Sequence, residues 1–165
     1  MTRKVDPVLT GRPHVPEYGI PEHSDGLLPW SFALERLDRA RNYWIATTRP
    51  DGRPHAVPVW GVLVDGEVYF GGGPQTVWAR NLARSPQIVV HLESGDEVVI
   101  LEGTAERHTE DNTSAGLLTR IDDAYEAKYD MRHGTPVWRL VPRVGFAWSR
   151  FPDDTTRWAF ASEAR

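Results

Sequence analysis

The chain has 165 residues, 40% hydrophobic and 25% charged, enough for one domain-sized core. Its net charge of −4, with 19 Lys plus Arg scattered against 23 Asp plus Glu, argues against a nucleic-acid surface. The absence of cysteine excludes disulfides and thiolate chemistry, and no apolar run approaches the roughly 18 residues of a membrane span, so a soluble cytoplasmic protein without a signal peptide is expected.

Residues 1–29 carry Pro7, Pro13, Pro16, Pro21 and Pro29 and read as an extended N-terminal arm; residues 30–165 read as the single folded domain. Ser31 is placed to cap a helix to about Arg41, with Ala33, Leu34, Leu37 and Ala40 on one face. Strands are expected over 43–48 and 54–64, joined by Arg49-Pro50-Asp51-Gly52, then over 67–70 after Asp65-Gly66. The run Gly71-Gly72-Gly73-Pro74 ends the ladder, and Thr76 caps a helix over 77–84. Strands follow over 88–92 and 97–105, then a long helix from Thr109 to about Tyr129 with Leu117, Leu118, Ile121 and Tyr125 as its apolar stripe. Final strands are expected over 137–141, 143–148 and 156–160. The fold class is mainly β with α: an antiparallel meander of about six or seven strands with three helices. It closes into a small barrel that splits where Pro58 interrupts the ladder.

The glycine turn before Thr76 lacks the Lys-Ser/Thr pair of a Walker loop, leaving a strand-to-helix turn whose amides and hydroxyl could take one phosphate. His14, His23, His55, His91, His108 and His133 show no ligand spacing, so no metal site is expected. Glu93, Asp96 and Glu97 surround a hairpin turn and read as surface groups, and no serine sits in a hydrolase elbow. Seven Trp is a high count for this length; most are assigned to core and dimer packing, though a flat indole also suits a planar ligand.

The order Trp44-Ile45-Ala46-Thr47-Thr48-Arg49-Pro50-Asp51-Gly52-Arg53-Pro54-His55-Ala56-Val57-Pro58-Val59-Trp60-Gly61, then Val68-Tyr69-Phe70, then Ala79-Arg80-Asn81-Leu82-Ala83-Arg84-Ser85-Pro86 resembles the pyridoxamine 5′-phosphate oxidase-like superfamily, the FMN-binding split barrels. Within it, the wording is similar to the branch that uses the deazaflavin coenzyme F420. The resemblance covers about residues 30–160. It implies a split-barrel homodimer, cofactor sites shared between chains, and hydride transfer to a small-molecule substrate.

By the same resemblance the cofactor lies against His55, Val57, Pro58, Val59 and Trp60, with its phosphate over Gly71, Gly72, Thr76, Val77, Trp78 and Asn81. Trp148, Arg157 and Trp158 are expected to approach from the partner, and Trp60 or Trp78 to cover one ring face. Many relatives carry a Ser-Arg-Lys-type segment where this chain has Thr76-Val77-Trp78, so the hydroxyl is kept and two phosphate-binding cations are missing. Each missing charge-assisted bond is worth about 1.5–3 kcal/mol. Three readings follow: an F420-dependent reductase, an FMN enzyme on the same fold, or a ligand-binding protein that has lost cofactor chemistry. No catalytic residue is assigned.

Overall fold

The computed structural model describes residues 5–161. In chain order its elements are β1 (Leu9–Gly11), α1 (Trp30–Arg39), β2 (Tyr43–Thr48), β3 (Pro54–Val59), β4 (Gly61–Val64) and β5 (Glu67–Gly71). There follow α2 (Val77–Arg84), β6 (Gln87–His91), β7 (Val98–His108), α3 (Ala115–Tyr129), β8 (Val137–Trp148) and β9 (Thr156–Ala159). The strands form one antiparallel sheet in the order β1-β9-β8-β7-β6-β2-β3, with β5 added to β8 and β4 to β5. There are therefore nine strands among the described residues, more than the six or seven expected.

The expected strand over 54–64 is broken at Trp60. β3 stays with β2, whereas β4 turns away to pair with β5, and no ladder joins β3 to β4. The sheet is split-barrel-like and does not close. Pro58 lies within β3 opposite Trp44; β3 ends the sheet, where a missing N–H breaks no ladder.

The opposite correction applies to β8, expected as two strands over 137–141 and 143–148. It is one strand of 12 residues that changes partner: residues 137–139 lie between β7 and β5, and 144–147 between β7 and β9. Pro142 faces Gly103, beside the register shift at Glu102/Gly103. A Cβ on Gly103 would stand 2.0 Å from the Val141 carbonyl oxygen, so the corner requires glycine.

Two helix starts also differ from expectation. Pro29, not Ser31, holds the N-cap position of α1, and it offers no side-chain cap. Residues 109–113 make a turn in which Asn112 accepts from the Thr109 amide; α3 starts only after Ser114, whose hydroxyl accepts from the Leu117 amide. The N-terminal arm adds β1 to β9 of its own chain and is tied down where Arg12 donates to the Thr155 carbonyl at 2.9 Å.

Strand alternation sorts the sheet into two faces. Ile45, Val90, Leu101 and Trp158 form a buried inner row, packed with Ala33 and Leu37 of α1 and Ala79 and Leu82 of α2. A second cluster lies under α3, where Ile121, Tyr125 and Tyr129 meet Val62, Tyr69 and Val137. On the outer face Trp44, His91, Ile100, Phe146 and Arg157 form a half-buried row across five strands, opposite the face that α1 and α2 cover.

Candidate functional site

The turn between β2 and β3 and one face of α2 enclose a groove. Gly52, at φ 84°, lets its own amide reach the Arg49 carbonyl, and the Arg49 amide reaches the Arg53 carbonyl, both at 2.9 Å. Opposite stand Val77, Arg80, Asn81 and Arg84, spaced i, i+3, i+4, i+7 on one helix face. Thr76 caps this helix as expected, its Oγ1 accepting from the Ala79 amide at 3.3 Å. Asn81 is buried and donates to Thr47 Oγ1 at 3.0 Å, which fixes α2 to β2.

The groove has a volume of about 410 Å³ and is lined by Arg49, Arg53, Arg80 and Arg84, with Asp51 as its one carboxylate. Arg53 Nε donates to Asp51 at 2.8 Å. Among the described residues Arg80 and Arg84 pair with no carboxylate. Arg49 lies 3.1 Å from His55 Nδ1. A guanidinium has only donors, so Nδ1 accepts and the remaining ring proton sits on Nε2. The groove is thus cationic, although Val77 and Trp78, where the resemblance implies cations, are neutral.

The glycine turn has a different cause from the one its composition suggests. A Cβ on Gly71 would meet the His133 ring at 2.3 Å, and one on Gly72 would meet Trp78 Cζ2 at 2.7 Å. Both are glycines because aromatic rings fill the space beside them, and the Gly71 amide is spent on the Trp60 carbonyl at 3.3 Å. Trp78 is buried between Phe70 and Trp138, with ring centroids 5.6 and 4.7 Å away, and has no face left for a cofactor. The polar groups at this end are the Thr76 hydroxyl and the first-turn amides of α2.

At the break between β3 and β4, Trp60 is exposed and lies flat on Tyr129, with centroids 4.4 Å apart and planes at 1°. Tyr125 donates to the Trp60 carbonyl at 3.0 Å. The Tyr129 hydroxyl lies 2.7 Å from the Arg41 carbonyl and accepts from the Gly61 amide at 2.9 Å. Lys128 Nζ donates to the Gly61 carbonyl at 2.6 Å. Burial and the neighbouring Arg41 lower the Lys128 pKa to about 8, while burial pushes the Tyr125 and Tyr129 phenols up, so both remain donors. α3 therefore holds the break open through three side chains on its last turns.

Of the residues expected at the site, His55, Val57, Pro58, Val59 and Trp60 follow one another along β3 and its end, and Thr76, Val77 and Asn81 belong to α2 and its cap, which pack against β2 and the turn at residues 49–53. Trp148 and Arg157 are on β8 and β9, on the far side of the sheet order from β3, so a single chain does not bring them to the groove. Sequence reading missed Arg49 and Arg84 as groove residues, and also Arg41, Tyr129 and His133. The signals available were the helical spacing of Arg80 and Arg84 and that of Tyr125 and Tyr129.

Among the described residues no group of His, Asp and Glu is placed to hold a metal, and no helix is long and apolar enough to cross a membrane. The conserved hypothetical protein Rv2991 from Mycobacterium tuberculosis has a similar structure, with 24% identity over 76% of this chain and 88% of its own, at a TM-score of 0.64. A heme binding protein from Mycobacterium smegmatis matches with 23% identity over 78% of this chain and 58% of its own, at 0.60. A protein named F420 Reductase matches with 20% identity over 67% and 93%, at 0.51. These likenesses concern the fold; no curated protein matches the sequence. The pyridoxamine 5'-phosphate oxidase family model spans residues 32–161, which takes in β2 to β9 and every groove residue named above, and the chain belongs to that family.

Proposed function

We propose that the protein is a homodimeric oxidoreductase that binds a deazaflavin cofactor of the F420 type and passes hydride between it and a small organic substrate. The observation that carries this reading is the groove lined by four arginine residues and one aspartate. FMN ends in one compact phosphate, whereas F420 carries a phosphodiester followed by glutamyl carboxylates; a line of arginines suits the extended anion better. Arg49, Arg53, Arg80 and Arg84 would hold that tail, and Thr76 with the α2 amides would hold the phosphodiester. Val57, Pro58 and Val59 would lie along the ring. The cofactor supplies the redox chemistry when bound, and the chain binds, orients and excludes water, which needs no acid–base pair. A protein named F420 Reductase on the same fold supports the reading.

The dimer is supported by the outer face of the sheet. Trp44, Ile100 and Phe146, flanked by Ala46, Val89 and Val144 and interrupted by His91 and Glu102, lie on the face opposite α1 and α2 and are only half-buried.

The test is equilibrium titration with F420 and FMN in parallel, on the natural protein and on Arg80→Gln and Arg84→Gln. F420 is expected to bind more tightly than FMN, to weaken as salt rises, and to lose roughly tenfold per arginine removed. Tight FMN binding without F420 binding would replace this reading with the FMN enzyme. Binding of neither would favour a ligand-binding protein, as the name of the heme binding protein on this fold suggests.

A further inference from the structure

The Trp60 ring is large, 40% exposed, and held flat rather than free. Tyr129 covers one of its faces at 4.4 Å. The Arg41 guanidinium lies 4.8 Å from the Tyr129 centroid and 5.7 Å from that of Trp60. A cation on the far side of Tyr129 would be much farther from Trp60, so Arg41 stands at the edge of the stack and leaves the outer indole face open. Its Nη1 donates to the Lys128 carbonyl at 2.9 Å, which anchors one side of the guanidinium.

The charge around this platform is unbalanced. Arg41 makes no ion pair among the described residues. Lys128 sits over the Tyr43 and Tyr129 rings at 4.9 and 5.2 Å, and Asp38 acts on it without forming an ion pair. A flat aromatic face with a fixed guanidinium at its edge matches a planar, conjugated molecule that carries a carboxylate: the π system stacks, and the carboxylate takes a charge-assisted hydrogen bond.

We infer that the open face of Trp60, with Arg41 at its edge, is a subsite for a planar substrate bearing a carboxylate. The inference rests on the oxidoreductase reading for the word substrate, and it moves Trp60 from the cofactor wall to the substrate side. The geometry separates this platform from the groove: Trp60 ends β3, whereas the arginine groove lies at the other end of that strand, around the turn at residues 49–53.

The test is calorimetric titration of the full chain with 2-naphthoate and 2-naphthamide, which share a ring system and differ in charge. 2-Naphthoate is expected to bind more tightly. Arg41→Gln should weaken 2-naphthoate roughly tenfold and leave 2-naphthamide within about twofold, while Trp60→Ala should weaken both by about five- to tenfold. Arg80→Gln should change neither, since it belongs to the groove. Equal binding of the two probes, or no effect of Arg41→Gln, would overturn the inference. F420 titration of the same variants keeps the two proposals apart. If Trp60→Ala loses F420 and not 2-naphthoate, Trp60 belongs to the cofactor and the inference fails while the oxidoreductase reading stands. If the natural protein ignores F420 but binds 2-naphthoate as expected, the platform stands and the cofactor reading fails.

Discussion

Replacing Tyr129 with Phe isolates one hydroxyl that joins α3 to the break in the sheet. That oxygen accepts from the Gly61 amide at 2.9 Å and lies 2.7 and 2.8 Å from the carbonyls of Arg41 and Gly61. A phenol has one proton to donate, and Lys128 already serves the Gly61 carbonyl, so the proton goes to Arg41. In the Phe variant the Arg41 carbonyl, on an exposed residue, is recovered by water, but Gly61 is buried and its amide has no substitute. An unpaired buried amide costs about 1–3 kcal/mol. Taking about 2 kcal/mol, a chain of this size should lose about 4–8 °C in Tm. The ring remains, so its stack with Trp60 should remain too. Thermal denaturation by circular dichroism, checked against the urea midpoint with the slope unchanged, measures this. A Tm within about 1 °C of the natural protein would show that the Gly61 amide does not depend on the hydroxyl, and the account of the break would fall.

Three further outcomes are expected. Lys128 has a folded pKa of about 8 against an ordinary 10.5, so the folded state binds fewer protons between those values and stability should rise with pH across that window. Urea midpoints at pH 7, 9 and 10 should show less rise for Lys128→Met than for the natural chain, and equal rises would remove Lys128 as the cause. Gly103→Ala puts a Cβ 2.0 Å from the Val141 oxygen and 2.9 Å from Pro142 Cα, both backbone atoms, and should cost about 3 kcal/mol or more. Gly95→Ala meets nothing within 4 Å and should lie within about 0.5 kcal/mol of neutral; matching Tm losses for the two would contradict the corner geometry. Light scattering should report about twice 18.7 kDa for the natural chain if the proposed dimer forms, and about 18.7 kDa for Phe146→Asp, which places a charge in the outer row; a variant that stays dimeric would put the interface elsewhere.

Where a structural cause is local, the sequence carried it. The Asp65-Gly66 turn needs positive φ at both residues, here 54° and 79°, and that residue pair is suited to it. The Thr76 cap acts within four residues, and α2 begins and ends where expected. Long-range causes left no comparable mark. Pro142 looks like a strand end until Gly103, on another strand, is seen to accommodate the bend beside it. β1 has three residues inside a proline-rich arm and exists only because β9 is there to pair with it. Gly71 and Gly72 resembled a phosphate loop because nothing local announces that His133 and Trp78 fill their side-chain space. The arginine groove joins a turn to a helix face, so no local pattern in either segment announces it.

The sheet has three free edges, and each is blocked in its own way. β1 is only three residues long, and β3 carries Pro54 and Pro58. β4 is covered by α3, whose Tyr129 and Lys128 already occupy the Gly61 backbone. A strand from another molecule finds neither length nor donors at these margins, so cross-β growth has no template in the folded state. Crowded solutions of the protein should accordingly favour discrete particles over fibres.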